Sequence, residues 1–387
     1  MAKLLFFQWN AFMQKGIENA LIRKGIDYDV YTYYFSNWDK DDSFVEEFSS
    51  YIRGHREIKT VFSVNFSPLI SDVCEKTDII YKAWVYDAPL HIRKVCSLKN
   101  KCNHIYFFDR VQAEFYSKQG MEHVYHLPLA VDAEYFKEEH IKQEYGALVL
   151  ESIKECDVSL VGQLYKSDFS YLCKPLDMYD RGYLEGIVNA QLHVDGGYFV
   201  DEIITDGLLE RLNKIYRERT NGEFQVTDKE LEYAIATEVT GRCRFMALSL
   251  LESRADVHLY SGDYDDRLKN TVWCGRADYY SQMPEVFRKS KINLNISLSI
   301  IKTGIPLRVL DVLGSGGFLI TNYKPEIAEY FEDGIDLVIY EDMKDLVIKV
   351  KYYLSHEEER KAIARNGYEK VKRLFTFDEK IDAMGLD

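Results

Sequence analysis

The sequence predicts an α/β protein with two doubly wound parallel sheets and a helical insertion in the second. Short apolar runs alternate with helical patterns through residues 1–135, and the alternation starts again near residue 155. Between residues 165 and 250 helical spacing continues without recognisable strands. Strand–helix alternation at this spacing indicates parallel strands whose crossover helices cover both faces of a sheet.

The first half of the chain contains six apolar runs that we interpret as strands, at residues 4–7, 28–33, 58–64, 79–86, 105–108 and 124–127. Helical patterns cover residues 11–24, 69–76 and 111–119. The first of these helices places Ile17, Ala20 and Leu21 on one face and stops at Gly25. These elements predict an N-terminal domain over residues 1–150.

The second half repeats this organisation with apolar runs at residues 157–161, 257–260, 271–273, 292–296, 318–320 and 337–339. They predict a C-terminal domain over residues 151–375 that carries the helical insertion at 165–250. Residues 376–387 are predicted to form a helix that returns to the N-terminal domain. No apolar run is long enough for a transmembrane helix, so no membrane span is predicted.

Net charge and cysteine spacing exclude several classes of protein. The chain has 387 residues with 49 Lys and Arg against 63 Asp and Glu, a formal net charge of −14. This charge argues against a nucleic-acid partner and against a polybasic membrane binder. The 7 cysteines form no Cys-x-x-Cys pair, which indicates reduced thiols in a cytoplasmic protein and neither a disulfide framework nor a metal site.

Two open parallel sheets that face each other enclose a cleft, and ligands of such sheets bind beyond the carboxyl ends of the strands. The most informative motif is the segment over residues 302–321. A helix is expected to begin near Pro306, just after Gly304, and its free amides could hold a phosphate. Arg308 could reach diphosphate oxygens and Asp311 could accept ribose hydroxyls. The alternative is a surface ion pair followed by a glycine turn.

This segment resembles the C-terminal half of GT-B glycosyltransferases, in the group that includes spore-maturation CgeB-like proteins. The shared features are Gly-x-Pro-x-Arg, an acid three residues later, and a Gly-Gly turn into a strand that ends in Thr. Broader retaining GT-B families carry a Glu, seven residues and a second Glu, where this chain has Thr303 and Asp311. The resemblance implies two Rossmann-like domains and sugar transfer from a nucleotide sugar, with a UDP-sugar expected and no metal or other cofactor.

The resemblance also covers two upstream stretches. Residues 157–166 resemble the opening strand and loop beside the donor diphosphate, and residues 272–276 resemble the strand that leads to the nucleotide base. Lys166 and Arg276 could each be a solvated surface charge instead. Arg308 is implied to be catalytic through stabilisation of the leaving phosphate. The implied donor-binding residues are Gly162, Lys166, Arg276, Gly304, Ile305, Pro306, Leu307 and Asp311.

The N-terminal half resembles the DUF3880-type domain that often precedes such a C-terminal half. The matching stretches are residues 9–10, 17–21, 84–89, 108–110 and 126–132. The resemblance implies that this domain binds the acceptor, with Asn10 and Asp109 as candidate acceptor-binding residues. Asp87 follows a predicted strand and could take a proton from an acceptor hydroxyl, or it could initiate the turn before Pro89.

Several alternatives stay open. A protein that keeps this fold as a nucleotide-sugar-binding scaffold is favoured by Thr303 in the place of the first Glu. A metal-dependent transferase would use an Asp-x-Asp pair, which occurs at residues 27–29, 39–41 and 263–265. The hydroxyl acceptor could belong to a glycan, a lipid-linked glycan or a protein, and retention or inversion of the anomeric centre is undecided.

Overall fold

The computed structural model describes residues 3–9, 11, 13–90, 92–194 and 196–386. One predicted acceptor-binding residue, Asn10, lies outside these described residues. The chain divides into two units. The first consists of Met1–Tyr135, Thr303–Leu310 and Val371–Asp387, and the second consists of Phe136–Lys302 and Asp311–Lys370.

Twelve strands form within the described residues: β1 (Lys3–Gln8), β2 (Tyr28–Thr32), β3 (Ile58–Val64), β4 (Ile80–Val85), β5 (Asn103–Phe107), β6 (Val124–His126), β7 (Cys156–Val161), β8 (Val257–Tyr260), β9 (Val272–Trp273), β10 (Ser290–Asn295), β11 (Leu319–Asn322) and β12 (Val338–Tyr340). The α-helices are α1 (Gln14–Arg23), α2 (Asp42–Gly54), α3 (Pro68–Thr77), α4 (Arg110–Lys118), α5 (Glu138–Tyr145), α6 (Ala147–Glu151), α7 (Phe169–Cys173), α8 (Met178–Gln191), α9 (Val200–Ile203), α10 (Asp206–Arg219), α11 (Asp228–Leu251), α12 (Met283–Lys289), α13 (Leu307–Gly314), α14 (Pro325–Tyr330), α15 (Met343–Leu354), α16 (Glu357–Leu374) and α17 (Phe377–Met384).

The first unit is built on a sheet of six parallel strands in the order β2-β1-β3-β4-β5-β6. Strand β1 is apolar on both faces because helices cover both sides, as parallel sheets require. One core packs Phe7 against Phe44 and Phe48 of α2. Full burial of each such ring contributes about 1.5–3 kcal/mol.

Helix α17 packs in the first unit beside α1. The Phe377 ring lies where a side chain at Gly16 would stand, only 2.5 Å from a Cβ built there. Arg23 of α1 forms an ion pair of 2.5 Å with Asp378, and Lys24 pairs with Asp382 at 2.6 Å. The last helix is therefore part of the N-terminal unit.

The second unit has a six-stranded parallel sheet in the order β12-β11-β10-β7-β8-β9. Its core packs β7, β8, β10 and β11 against α11 and α15. The predicted fold class, with two parallel sheets and flanking helices, is confirmed.

The helical insertion spans α7 to α10 and leads into the long helix α11. It has its own core, in which Tyr216 and Leu212 are fully buried. Helix α11 begins with a capping box, where Thr227 and Glu230 each satisfy a backbone amide of the other. Among the described residues no helix is both long and apolar enough to cross a membrane.

Candidate functional site

The loops that follow β7, β8, β9 and β10 lie at one edge of the second sheet because all of its strands are parallel. This edge carries several of the predicted donor-binding residues. Gly162 directly follows β7 and has a φ of +149°. Residues other than glycine rarely adopt this backbone conformation. Lys166 is exposed on the same loop. It lines a cavity of about 760 Å³ together with residues of α11 and the loop after β8.

Arg244 of α11 joins two of these loops and was not among the predicted site residues. Its guanidinium is buried and donates to the carbonyl oxygen of Ile296 after β10, with distances of 3.1 Å from Nε and 2.6 Å from Nη2. It also donates to the carbonyl oxygen of Gln163 after β7. A Cβ at Gly162 would stand 3.0 Å from its Nη1 atom. The glycine therefore leaves room for a buried cation that ties two strand ends together.

Arg276 lies on the loop after β9, and its guanidinium covers Gly262 after β8. A Cβ at Gly262 would come within 2.4 Å of Nε of Arg276. The neighbouring indole of Trp273 donates to the carbonyl oxygen of Ser261 at 2.8 Å. The ends of β8 and β9 are thus held together with an exposed guanidinium above them, which can contact an anionic or heteroaromatic ligand.

The loop after β10 is hydrogen-bonded to α11 and ion-paired with α9. The amide of Ser299 donates to Oγ1 of Thr240 in α11 at 2.9 Å. Lys302, at the end of this loop, pairs with Asp201 of α9 at 2.5 Å. The insertion therefore fixes the chain that leads directly into the predicted phosphate-binding turn.

The predicted phosphate-binding turn lies within Thr303–Leu310, a segment that belongs to the first unit. The amide and hydroxyl of Thr303 donate to the carboxylate of Asp109 at 3.1 and 3.0 Å. A Cβ at Gly304 would stand 2.8 Å from the ring of Phe108, so only glycine allows this close approach. Ile305 and Pro306 are buried and Leu307 is half-buried. Thr303, which stands where broader families have a Glu, is therefore hydrogen-bonded to Asp109 within the protein.

Helix α13 carries the predicted Arg308 and Asp311. Arg308 is half-buried in the first turn. Asp311 is 1% exposed and accepts a hydrogen bond of 2.7 Å from the hydroxyl of Tyr279. The ring of Phe136 packs edge-on against Tyr279 at 5.7 Å. The phenol fixes the orientation of the carboxylate, a contact that the sequence did not indicate.

The carboxyl edge of the first sheet holds Asp87, which is exposed after β4. Nδ2 of Asn65, after β3, donates to the carboxylate of Asp87 at 2.8 Å, while Oδ1 of Asn65 accepts from the amide of Tyr86 at 2.7 Å. Asn65 has a φ of +61°, in the left-handed region that asparagine tolerates better than most residues. This amide therefore orients the candidate base.

Asp109 has a structural function at the next strand end. It is 2% exposed, and it caps α4 by accepting from the amides of Val111 and Gln112. With the two bonds from Thr303, its carboxylate is held by four donors. Its predicted contact with an acceptor stays a prediction.

Asp41 and Asp265, which belong to two of the Asp-x-Asp pairs, have local partners. Asp41 caps α2 and accepts from the amide of Ser36, bonds that hold the pKa of its carboxyl below the usual value. Asp265 pairs with Arg267 at 2.6 Å, and this contact lowers the pKa of Asp265. Within the described ranges, no group of three or more His, Cys, Asp or Glu side chains is arranged to hold a metal ion.

Residues 242–384 match a family model described as glycosyl transferase-like. The match covers Arg244, Arg276, Arg308 and Asp311, and it leaves out Gly162 and Lys166. No curated protein matches the chain.

Solved structures share the whole fold at low identity. Sucrose-phosphate synthase from Thermosynechococcus elongatus has a TM-score of 0.55 at 11% identity, covering 100% of this chain and 98% of its own. A glycosyltransferase from Rickettsia africae has a TM-score of 0.52 at 11% identity, covering 99% and 97%.

The Anabaena protein Alr3699/HepE, solved in complex with UDP-glucose, has a TM-score of 0.52 at 9% identity and covers 98% of each chain. The GT-B fold predicted from the sequence is therefore confirmed. The glycosyl transferase-like match over residues 242–384 indicates an enzyme domain in this part of the chain.

Proposed function

We propose that this protein is a glycosyltransferase that moves a sugar from a UDP-sugar to a hydroxyl acceptor without a metal ion or other cofactor. The observation that carries the proposal is the glycosyl transferase-like match over residues 242–384, which contains Arg276, Arg308 and Asp311. UDP-glucose in the Alr3699/HepE structure supports the choice of donor. We further propose membership of the CgeB-like group with a DUF3880-type N-terminal domain.

The donor is proposed to bind at the carboxyl edge of the second sheet. Negative charge grows on the departing phosphate during glycosyl transfer, while the sugar carbon becomes cationic. Arg308 and the amide N–H groups of Gly304, Ile305 and Leu307 would stabilise that negative charge, with Lys166 as a further cation. Arg276 would contact the base, and the backbone at Gly162 would lie beside the donor diphosphate.

Asp311 is proposed to accept the ribose hydroxyls. Replacing Asp311 with Asn keeps the shape of the side chain and removes its charge, so we expect UDP affinity to fall roughly 10–100-fold. Isothermal titration calorimetry with UDP measures this change. Tyr279→Phe is the companion variant, because it removes only the orienting hydrogen bond at Asp311 and should have a smaller effect. Unchanged UDP affinity in Asp311→Asn would show that this carboxylate does not contact the nucleotide.

Asp87 is proposed to act on the acceptor at the edge of the first sheet. Asp87→Asn should lower the rate of sugar transfer about 10²–10⁴-fold if the carboxylate takes the hydroxyl proton. Affinity for UDP should not change, because Asp87 belongs to the unit that is proposed to bind the acceptor. UDP release from a UDP-sugar is measured with and without acceptor. A wild-type transfer rate in this variant would remove Asp87 from the mechanism.

Calorimetry with UDP and GDP, followed by an assay for slow UDP-sugar hydrolysis, tests the function as a whole. Saturable binding of UDP together with hydrolysis or transfer supports the proposal. The rival function is a binding scaffold without chemistry, and the hydrogen bonds that hold Thr303 to Asp109 favour it. Nucleotide binding without any turnover of the UDP-sugar would support the scaffold.

A further inference from the structure

An aromatic cluster lies at the carboxyl edge of the first sheet, on the loops after β1 and β2. It consists of Trp9, Phe35 and Trp38 and is called the aromatic platform here. The ring centroids of Trp9 and Trp38 are 4.7 Å apart, and those of Phe35 and Trp38 are 5.0 Å apart. Phe35 stacks on the buried Phe7 at 5.8 Å. The platform is therefore anchored on the hydrophobic core beneath it.

Within the platform, Trp38 is the ring that is exposed to solvent. Trp38 is 43% exposed, and Tyr34 on the same loop is 70% exposed. In the part of the chain that the structure describes, neither the Trp9 nor the Trp38 indole N–H has a hydrogen-bond acceptor. Aromatic rings that combine an accessible face with an available N–H are suited to ligands with both apolar and hydroxyl groups.

A carboxylate fixes this loop to the segment that follows Asp87. Oδ1 of Asp39, next to Trp38, accepts from the amides of Arg93 and Lys94 at 3.1 and 3.2 Å. The ammonium of Lys94 is in turn bonded to Asp72 on α3. The loops after β2 and β4 are thus held together on the same side of the sheet.

The strand order places the platform at a defined spacing from the candidate base. Strands β1, β3 and β4 are neighbours, and adjacent strands lie about 4.8 Å apart, so the ends of β1 and β4 are about 10 Å apart. Asn65 and Asp87 follow β3 and β4. An extended ligand that lies across these strand ends meets rings at one end and a carboxylate with an amide at the other.

We propose that the aromatic platform binds a neutral carbohydrate acceptor, with a sugar ring stacked on the exposed ring of Trp38, which Trp9 supports edge-on at an interplanar angle of 71°, and with the reacting hydroxyl directed towards Asp87. This inference rests on the proposed function and names the acceptor class. A pyranose has a face of C–H groups that packs on an aromatic ring and a rim of hydroxyls that accept from indole N–H groups. Ser36, Asn37 and Asp39 interrupt the apolar surface, so it is not a continuous groove for a lipid chain.

The charged groups beside the platform are paired within the protein, which favours a neutral sugar over an ionic one. Lys40 pairs with Asp42 at 3.9 Å, Lys94 is bonded to Asp72, and Asp41 is held as the cap of α2.

The acceptor hydroxyl would give its proton to Asp87 or to the leaving phosphate as its oxygen bonds to the anomeric carbon and the bond to UDP breaks.

The test is calorimetric titration of the full-length protein, saturated with UDP, with cellobiose, lactose and N,N′-diacetylchitobiose. We expect saturable binding of at least one disaccharide, and Trp38→Ala should weaken it about tenfold. Trp38→Phe should recover part of the loss because it restores a ring. Tyr171→Ala is the matched control, since it removes an aromatic ring that is 63% exposed outside the platform.

Each variant is first checked for an unchanged melting temperature and unchanged UDP affinity. Wild-type disaccharide affinity in Trp38→Ala and Trp9→Ala would overturn the inference. Binding of UDP without binding of any of the three disaccharides would also overturn it while the proposed function survives. Disaccharide binding that Trp38→Ala weakens, in a protein that binds no UDP, would support the aromatic platform and overturn the proposed function.

Discussion

Replacing Arg308 with Ala should lower the rate of sugar transfer about 10²–10³-fold and leave the fold intact. The half-buried side chain extends from the first turn of α13, where the helix dipole already favours an anion. In the proposed mechanism, the substitution removes a charged donor to the negative charge that grows on the phosphate. The release of UDP from a UDP-sugar, measured under single-turnover conditions, gives the rate directly.

The controls for Arg308 separate charge from geometry. Arg308→Lys keeps the charge but loses the planar fork of donors, so it should recover only part of the rate. Arg53→Ala removes an exposed helical arginine of the same unit and should transfer sugar at the wild-type rate. If Arg308→Ala turns over as fast as Arg53→Ala, Arg308 does not act on the leaving group.

Arg244→Met should destabilise the second unit by about 2–4 kcal/mol. The substitution leaves two carbonyl oxygens, of Ile296 and Gln163, without the donor that satisfies them, and each such loss costs about 1–3 kcal/mol. The loops after β7 and β10 lose their common anchor, so UDP affinity should fall as well. Thermal unfolding and calorimetry with UDP measure the two effects.

Arg242, two residues earlier on α11, provides the matched control. Its guanidinium pairs with Glu185 and Glu238 and keeps 32% side-chain exposure, and exposed pairs of this kind contribute about 0–1 kcal/mol. Arg242→Met should therefore unfold close to the wild-type temperature. Equal destabilisation by the two variants would mean that the backbone contacts of Arg244 add nothing beyond a surface ion pair.

Much of the architecture could be predicted from local patterns. The apolar runs at residues 58–64 and 292–296 coincide with β3 and β10 to within two residues. Helix α2 was not predicted, although its cap Asp41 and its buried residues Phe44, Phe48 and Ile52 have helical spacing. That stretch is rich in aromatic and serine residues, which lowers intrinsic helix propensity, and packing against the core decides its structure.

The candidate site could be predicted only in part. Arg308 and Asp311 stand out because a glycine, a proline and two charges occur at the start of a helix. The partners of these groups could not be predicted in the same way. Tyr279 is 32 residues from Asp311 in the chain, and Thr303 is 194 residues from Asp109, so no local spacing reports either contact.

The two parallel sheets and the residues at their strand ends could be predicted from the sequence alone, because hydrophobic periodicity and turn residues act over a few positions of the chain. The partners that orient these polar groups became known only from the folded chain, in which Arg244 lies under Gly162 and Asn65 lies against Asp87. A hydrogen bond depends on distance in space, and parallel strands set that distance between residues that are far apart in the chain.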